Sequence, residues 1–198
     1  MGLDIGAAQV ALWAACAFFF VMGGFVKGTM GVGLPPVVVP TLSLLIPAPQ
    51  AMGLLVMPVL ISNLWQAMEG GNIRYSLKRF GSLAGVQLVV TLLTVKYSSG
   101  LSVASLNLLI AFSLLVAVLW MGFKPNLRVP PQCELAACIL VGALAGFMGG
   151  VSSLTGPFII TLLMALKLTR EQFIGSISII YLAGSLPMYG AMLWYERF

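Results

Sequence analysis

The sequence predicts an all-α polytopic membrane protein of about eight transmembrane or partly re-entrant helices, built as two inverted repeats with Gly/Pro-broken helices. Three observations predict it. First, 60% of the 198 residues are hydrophobic and 8% are charged, against roughly 25% charged in soluble domains. That is too little polar surface to cover a water-facing exterior. Disorder and nucleic-acid binding are excluded with it. Second, eight apolar runs follow one another with short breaks, at about 7–26, 31–47, 51–68, 81–96, 101–121, 135–151, 154–166 and 171–195. Third, these runs lack the period-two alternation of barrel strands.

The elements follow in order. Run 7–26 is preceded by Asp4 and by no positive charge, so it reads as a retained first helix and not as a signal peptide. Run 31–47 carries Pro35, Pro36, Pro40 and Pro47. At about 1.5 Å per residue it makes about 26 Å, marginal against a hydrocarbon core of roughly 30 Å. Run 154–166 is shorter still. Runs 101–121 and 171–195 are long enough to span. Asn63, Gln66 and Gln87 read as interhelical glue or as substrate contacts, and Asn63 is favoured for contact. Thr169 and Gln172 have capping-box spacing. Cys16, Cys133 and Cys138 form no CxxC pair, so no metal, redox centre or other cofactor is signalled.

Eight spans place alternate loops on opposite sides. One side collects Lys27, Arg74, Lys78, Arg79, Lys124, Arg128, Lys167 and Arg170, and the other only Lys96 and Arg197. The positive-inside rule then puts both termini outside the cytoplasm, and it accounts for the net charge of +5. Trp65 and Trp120, like Tyr97, Trp194 and Tyr195, fall near helix ends, as interfacial aromatics do.

The stretch "GGFVKGTMGVGLPP" (23–36) has a relative in "GFMGGVSSLTGP" (146–157). Gly28, Met30 and Gly31 align with Gly146, Met148 and Gly149. Pro36 meets Pro157 after a three-residue insertion. Gln50 then meets Gln172, Gly53 meets Gly175, and Asn63 meets Ser185. Five spans separate the copies, so they face opposite sides of the membrane. Repeat 1 covers about 7–95 and repeat 2 about 135–198, linked by the span 101–121. Inverted repeats with broken helices in matched places mark secondary transporters.

A broken helix frees backbone N–H groups that lipid cannot satisfy, and these suit an anion. The candidate substrate-binding residues are Lys27, Gly28, Thr29, Gly31, Gly33, Asn63, Ser152, Ser153, Thr155 and Gly156. Each has a plainer reading. The glycines let helices pack closely. Lys27 snorkels to the interface and sets topology. Thr29 or Ser153 caps a helix. The chain has no His, so neither Ser152 nor Ser153 has the base a nucleophile needs, and an intramembrane enzyme is disfavoured. The acids lie at span ends or outside, and Glu69 alone remains as a proton group.

"GGFVKGTMGVGLPPVVVP", "GGNIRYSLKRFGSLAG" and "GFMGGVSSLTGPFIITLLMALKLTREQF" resemble the sulfite exporter TauE/SafE family of membrane transporters, over most of the chain. The resemblance implies movement of a small anion, such as sulfite, a sulfonate or sulfoacetate, across a bacterial inner membrane. The partners it implies are that substrate and the lipid bilayer. A homo-oligomer is compatible with it. It also implies a further helix after the eighth, as counterpart to run 81–96. The chain stops before that helix, which leaves a truncated or non-transporting subunit or scaffold as the alternative.

Overall fold

The computed structural model describes residues 6–70, 73–98, 100–122 and 128–195. Asp4, Lys124, Glu196 and Arg197 lie outside them. Nine α-helices form among the described residues: α1 (Ala7–Met30), α2 (Leu34–Leu42), α3 (Ala48–Leu54), α4 (Val56–Gly70), α5 (Ile73–Ser98), α6 (Val103–Gly122), α7 (Glu134–Ser152), α8 (Gly156–Ala165) and α9 (Arg170–Trp194). No described residue is in a strand. Five stretches are long and apolar enough to cross a membrane: Gln9–Met30, Ala48–Glu69 (α3 with α4), Ile73–Ser98, Pro131–Ser152 and Arg170–Trp194. Large apolar side chains stand exposed along them, Trp13, Val21 and Phe25 on α1 among others. Water would not tolerate such a surface, and lipid does. The chain is a multi-pass membrane protein.

The second and seventh runs are not full spans. α2 has 9 residues and α8 has 10, so each is about 15 Å long, half a bilayer core. Both fold back on the preceding helix. Leu42 near the end of α2 clusters with Cys16 and Phe19 of α1. Leu162 and Leu163 of α8 cluster with Cys138 of α7. Each break is thus the tip of a helical hairpin. An αL residue makes each turn: Gly31 at φ 78° and Ser153 at φ 60°.

The two hairpins keep one spacing throughout. Their αL residues are 31 and 153, their returning helices start at 34 and 156, and the next helices start at 48 and 170. Each pair is 122 apart. No insertion is needed, and Pro35, not Pro36, stands opposite Pro157. Gly28 stands opposite Gly150, not Gly146. The alignment from sequence already had this spacing at Gln50, Gly53 and Asn63; it slipped by four residues at Gly28, Met30 and Gly31, where one helical turn restores the same face, and by one at Pro36.

α5 is the packing centre. Gly142, Gly146 and Gly150 of α7 meet it in rising order. A Cβ on them would lie 2.7 Å from the Leu83 carbonyl oxygen, the Gln87 carbonyl oxygen and the Thr94 Cβ respectively. α5 and α7 therefore run parallel, as close as small residues allow. Thr91 Oγ1 donates to the Gly146 carbonyl at 3.2 Å. α9 also runs parallel to α5, with Ser176 Oγ 3.0 Å from Ser76 Oγ at one end and Gly184 against the Gln87 amide further along. Ser178 donates to Gln66 of α4 at 3.4 Å, so Gln66 is glue as expected. Arg79 binds Glu134 through two contacts of 2.6 and 3.1 Å and ties the starts of α5 and α7. At the head of α9, Thr169 and Gln172 form the expected capping box.

The glycines of α1 behave differently. Gly23 packs on α2, where a Cβ would lie 2.9 Å from Val38. Gly24 and Gly28 face open space. Close packing explains the first and not the other two.

Candidate functional site

The two hairpin tips meet. A cavity of about 300 Å³ is lined by Lys27, Gly33 and Pro36 from the first tip and by Ser153, Thr155 and Gly156 from the second. Asn63 of α4 and Ser185 of α9 close it between them, with Leu114, Ala117 and Val118 of α6 along one wall. Each hairpin brings its own break to the cavity because the short helix returns on the long one and leaves the αL turn at the tip.

Lys27 is 5% exposed. Its Nζ donates to Asn63 Oδ1 at 2.5 Å. It does not snorkel to an interface, since its chain turns inward to α4. Among the described residues it has no ion-pair partner. An ammonium withdrawn from water without a counter-ion is costly, so this arrangement suits a bound negative charge. The residue 122 further on is Gly149, and a Cβ there would lie 2.5 Å from Thr155 Cγ2. The cation therefore comes from one half alone.

Four buried polar atoms at the cavity lack a well-formed hydrogen bond: Asn63 Nδ2, Ser153 Oγ, Ser185 Oγ and Tyr189 Oη, the Ser153 and Tyr189 hydroxyls lying near enough to interact with each other. Buried polar groups are normally satisfied by protein, water or ligand. Four such atoms round one cavity suit a polar ligand.

The backbone donors are unequal. Pro35 and Pro36 occupy the first turn of α2, and proline carries no N–H. The first turn of α8 has one proline, Pro157, and keeps the N–H groups of Gly156 and Phe158. The first turn of α8 thus carries one more backbone N–H than that of α2, and the buried ammonium of Lys27 stands at the first break.

Of the expected site residues, Lys27, Gly33, Asn63, Ser153, Thr155 and Gly156 line the cavity. Gly28, Thr29, Gly31 and Ser152 do not. Thr29 is exposed, and its hydroxyl bonds back to the Phe25 and Val26 carbonyls at 3.1 and 3.0 Å. Ser152 likewise donates to the Met148 carbonyl at 2.9 Å. Neither Thr29 nor Ser153 caps a helix N-terminus; Ser153 ends α7. Gly31 serves the turn, and its N–H is taken by the Lys27 carbonyl. Glu69 is exposed near the end of α4 and away from the cavity.

Tyr181, Met188 and Tyr189 of α9 line the cavity and were not foreseen. A signal existed: 181, 185 and 189 are spaced by four and share one helix face. The α6 wall gave none, since every residue on it is apolar. Trp120 is also more than an interfacial aromatic. Its Nε1 donates to Thr161 Oγ1 at 3.0 Å and its ring lies 5.1 Å from Phe158, which docks α8 on α6.

These features define a polytopic membrane protein with a cavity where two helical hairpins meet tip to tip. The chain belongs to the sulfite exporter TauE/SafE family, whose model matches residues 15–196. At the level of the family, that is a membrane transporter for sulfite and related anions. No curated protein and no solved structure matches the chain.

Proposed function

We propose that the chain is a secondary transporter that moves a small anion, sulfite, a sulfonate or another organic anion, across the bacterial inner membrane by alternating access. The observation that carries this is the meeting of the breaks: one buried cation, four polar atoms without a well-formed hydrogen bond and the start of α8 converge on one cavity. In this reading residues 7–95 and 135–198 are inverted repeats joined by the span 101–121, and they rock about the anion. Lys27 supplies the counter-charge. Ser153, Ser185, Tyr189 and Asn63 donate to the anion's oxygens. The Gly156 and Phe158 N–H groups and the α8 dipole add roughly 0.3–1 kcal/mol, up to about 2 in partly buried geometry.

The test is anion exchange in proteoliposomes. Wild type takes up a labelled sulfonate or sulfite saturably, Lys27→Met and Ser153→Ala lose most of the uptake, and Thr29→Val keeps it. Equal loss in Thr29→Val, or none in the other two, refutes the site. Both termini are assigned to the non-cytoplasmic side, and the start of α7 to the cytoplasmic side.

A further inference from the structure

We infer that the ligand of this cavity is an organic monoanion with a compact oxyanion head and an apolar tail, in preference to a bare inorganic oxyanion. The inference rests on the transport reading above and narrows it. Charge comes first. Lys27 is the single charged side chain among the residues lining the cavity, and the other polar groups there are neutral hydroxyls, phenols and one amide. One ammonium balances one negative charge. A second would stand in the cavity without a counter-ion, which a low-dielectric site penalises.

Shape comes second. The polar atoms of Lys27, Asn63, Ser153 and Ser185 belong to the hairpin tips and to α4 and α9. The α6 wall, Leu114, Ala117 and Val118, offers no polar side-chain atom, and Pro35, Pro36 and Val37 add more apolar surface from α2. An ion of three or four oxygens has no use for such walls, and it would fill only a fraction of about 300 Å³. An alkyl or aryl group gains from them by the ordinary burial of apolar surface.

Access comes third. Met30, Pro36 and Val118 line the cavity and are also exposed. The cavity therefore reaches the surface between the first tip and α6, past the apolar side chains of Met30, Pro36 and Val118. A tail can extend that way while the head stays on Lys27. The head group can be a sulfonate or a carboxylate, since both present oxygens to the same donors.

The experiment uses the full chain in proteoliposomes preloaded with labelled butanesulfonate, with protein-free liposomes as the blank for partitioning. External anions compete: methane-, ethane- and butanesulfonate, hexanoate, ethane-1,2-disulfonate, sulfite and sulfate. The expected result is an apparent affinity that rises about fourfold per methylene along the sulfonates. The disulfonate and sulfate should compete at least about tenfold more weakly than butanesulfonate. In Ala117→Phe, butanesulfonate should lose more affinity than methanesulfonate. A flat chain-length series, or sulfite, sulfate or the disulfonate competing better than butanesulfonate, overturns the inference while leaving anion transport standing. A parallel set preloaded with labelled sulfite separates the two readings: exchange from that set alone overturns this inference and leaves anion transport standing, whereas absence of exchange from both sets refutes the transport reading, and this one falls with it.

Discussion

Ser153 is strained and unsatisfied at once, and the substitution Ser153→Gly separates the two. It ends α7 at φ 60° and ψ 11°, where a side chain costs roughly 1–2 kcal/mol. The equivalent turn of the first hairpin uses Gly31 at φ 78°, so the fold accepts glycine there. Glycine returns about 0.4–1 kcal/mol of that gain through the freer unfolded chain. It also removes a buried hydroxyl that makes no well-formed hydrogen bond, a placement that costs up to about 1–3 kcal/mol. Without anion, the variant should therefore be more stable by about 1 kcal/mol or more. With anion the balance reverses. A hydrogen bond to a charged group contributes about 1.5–3 kcal/mol, so the apparent KM should rise about 10- to 150-fold. The assays are thermal unfolding in detergent with and without butanesulfonate, and uptake in proteoliposomes. Ser153→Ala is the companion: it should lose the same affinity and gain less stability, because the αL strain remains. A lower Tm without anion, or an unchanged KM in both variants, refutes the reading that Ser153 is held in strain for a ligand.

Other expectations follow from packing and topology. Gly146→Ala and Gly150→Ala each push a methyl into α5 and should destabilise by about 1–3 kcal/mol. Gly24→Ala and Gly28→Ala, which meet open space, should cost nothing measurable; parallel Tm losses in all four would contradict the packing described. Thr169→Ala removes the capping box of α9 and should cost about 1 kcal/mol, read as a lower Tm with anion affinity retained. Cys133 is an exposed thiol just before α7. In right-side-out vesicles an impermeant maleimide should label it only after the membrane is opened, and labelling of intact vesicles would reverse the proposed orientation.

Composition and run length by themselves determined the class. A chain with 8% charged residues must hide its surface in lipid, and lipid demands helices because each backbone group must find a partner within the segment. The sequence also marked the breaks, since Gly33, Pro35 and Pro157 cannot continue a membrane helix in the usual way, and it marked Lys27, Asn63 and Ser153. It left their assembly undecided. Whether runs 31–47 and 154–166 cross or turn back depends on the clusters that Leu42 joins with Cys16 and Phe19 and that Leu162 joins with Cys138, which gather residues far apart in the chain. Lys27 reads in sequence as an interfacial anchor, and only Asn63, 36 residues away, makes it a buried one. Thr29 and Ser152 look like ligands in sequence because a hydroxyl beside a glycine break suits one. Their helices turn those hydroxyls back onto their own carbonyls, whereas Ser153 lies past the end of α7, and its αL turn brings it to the cavity wall.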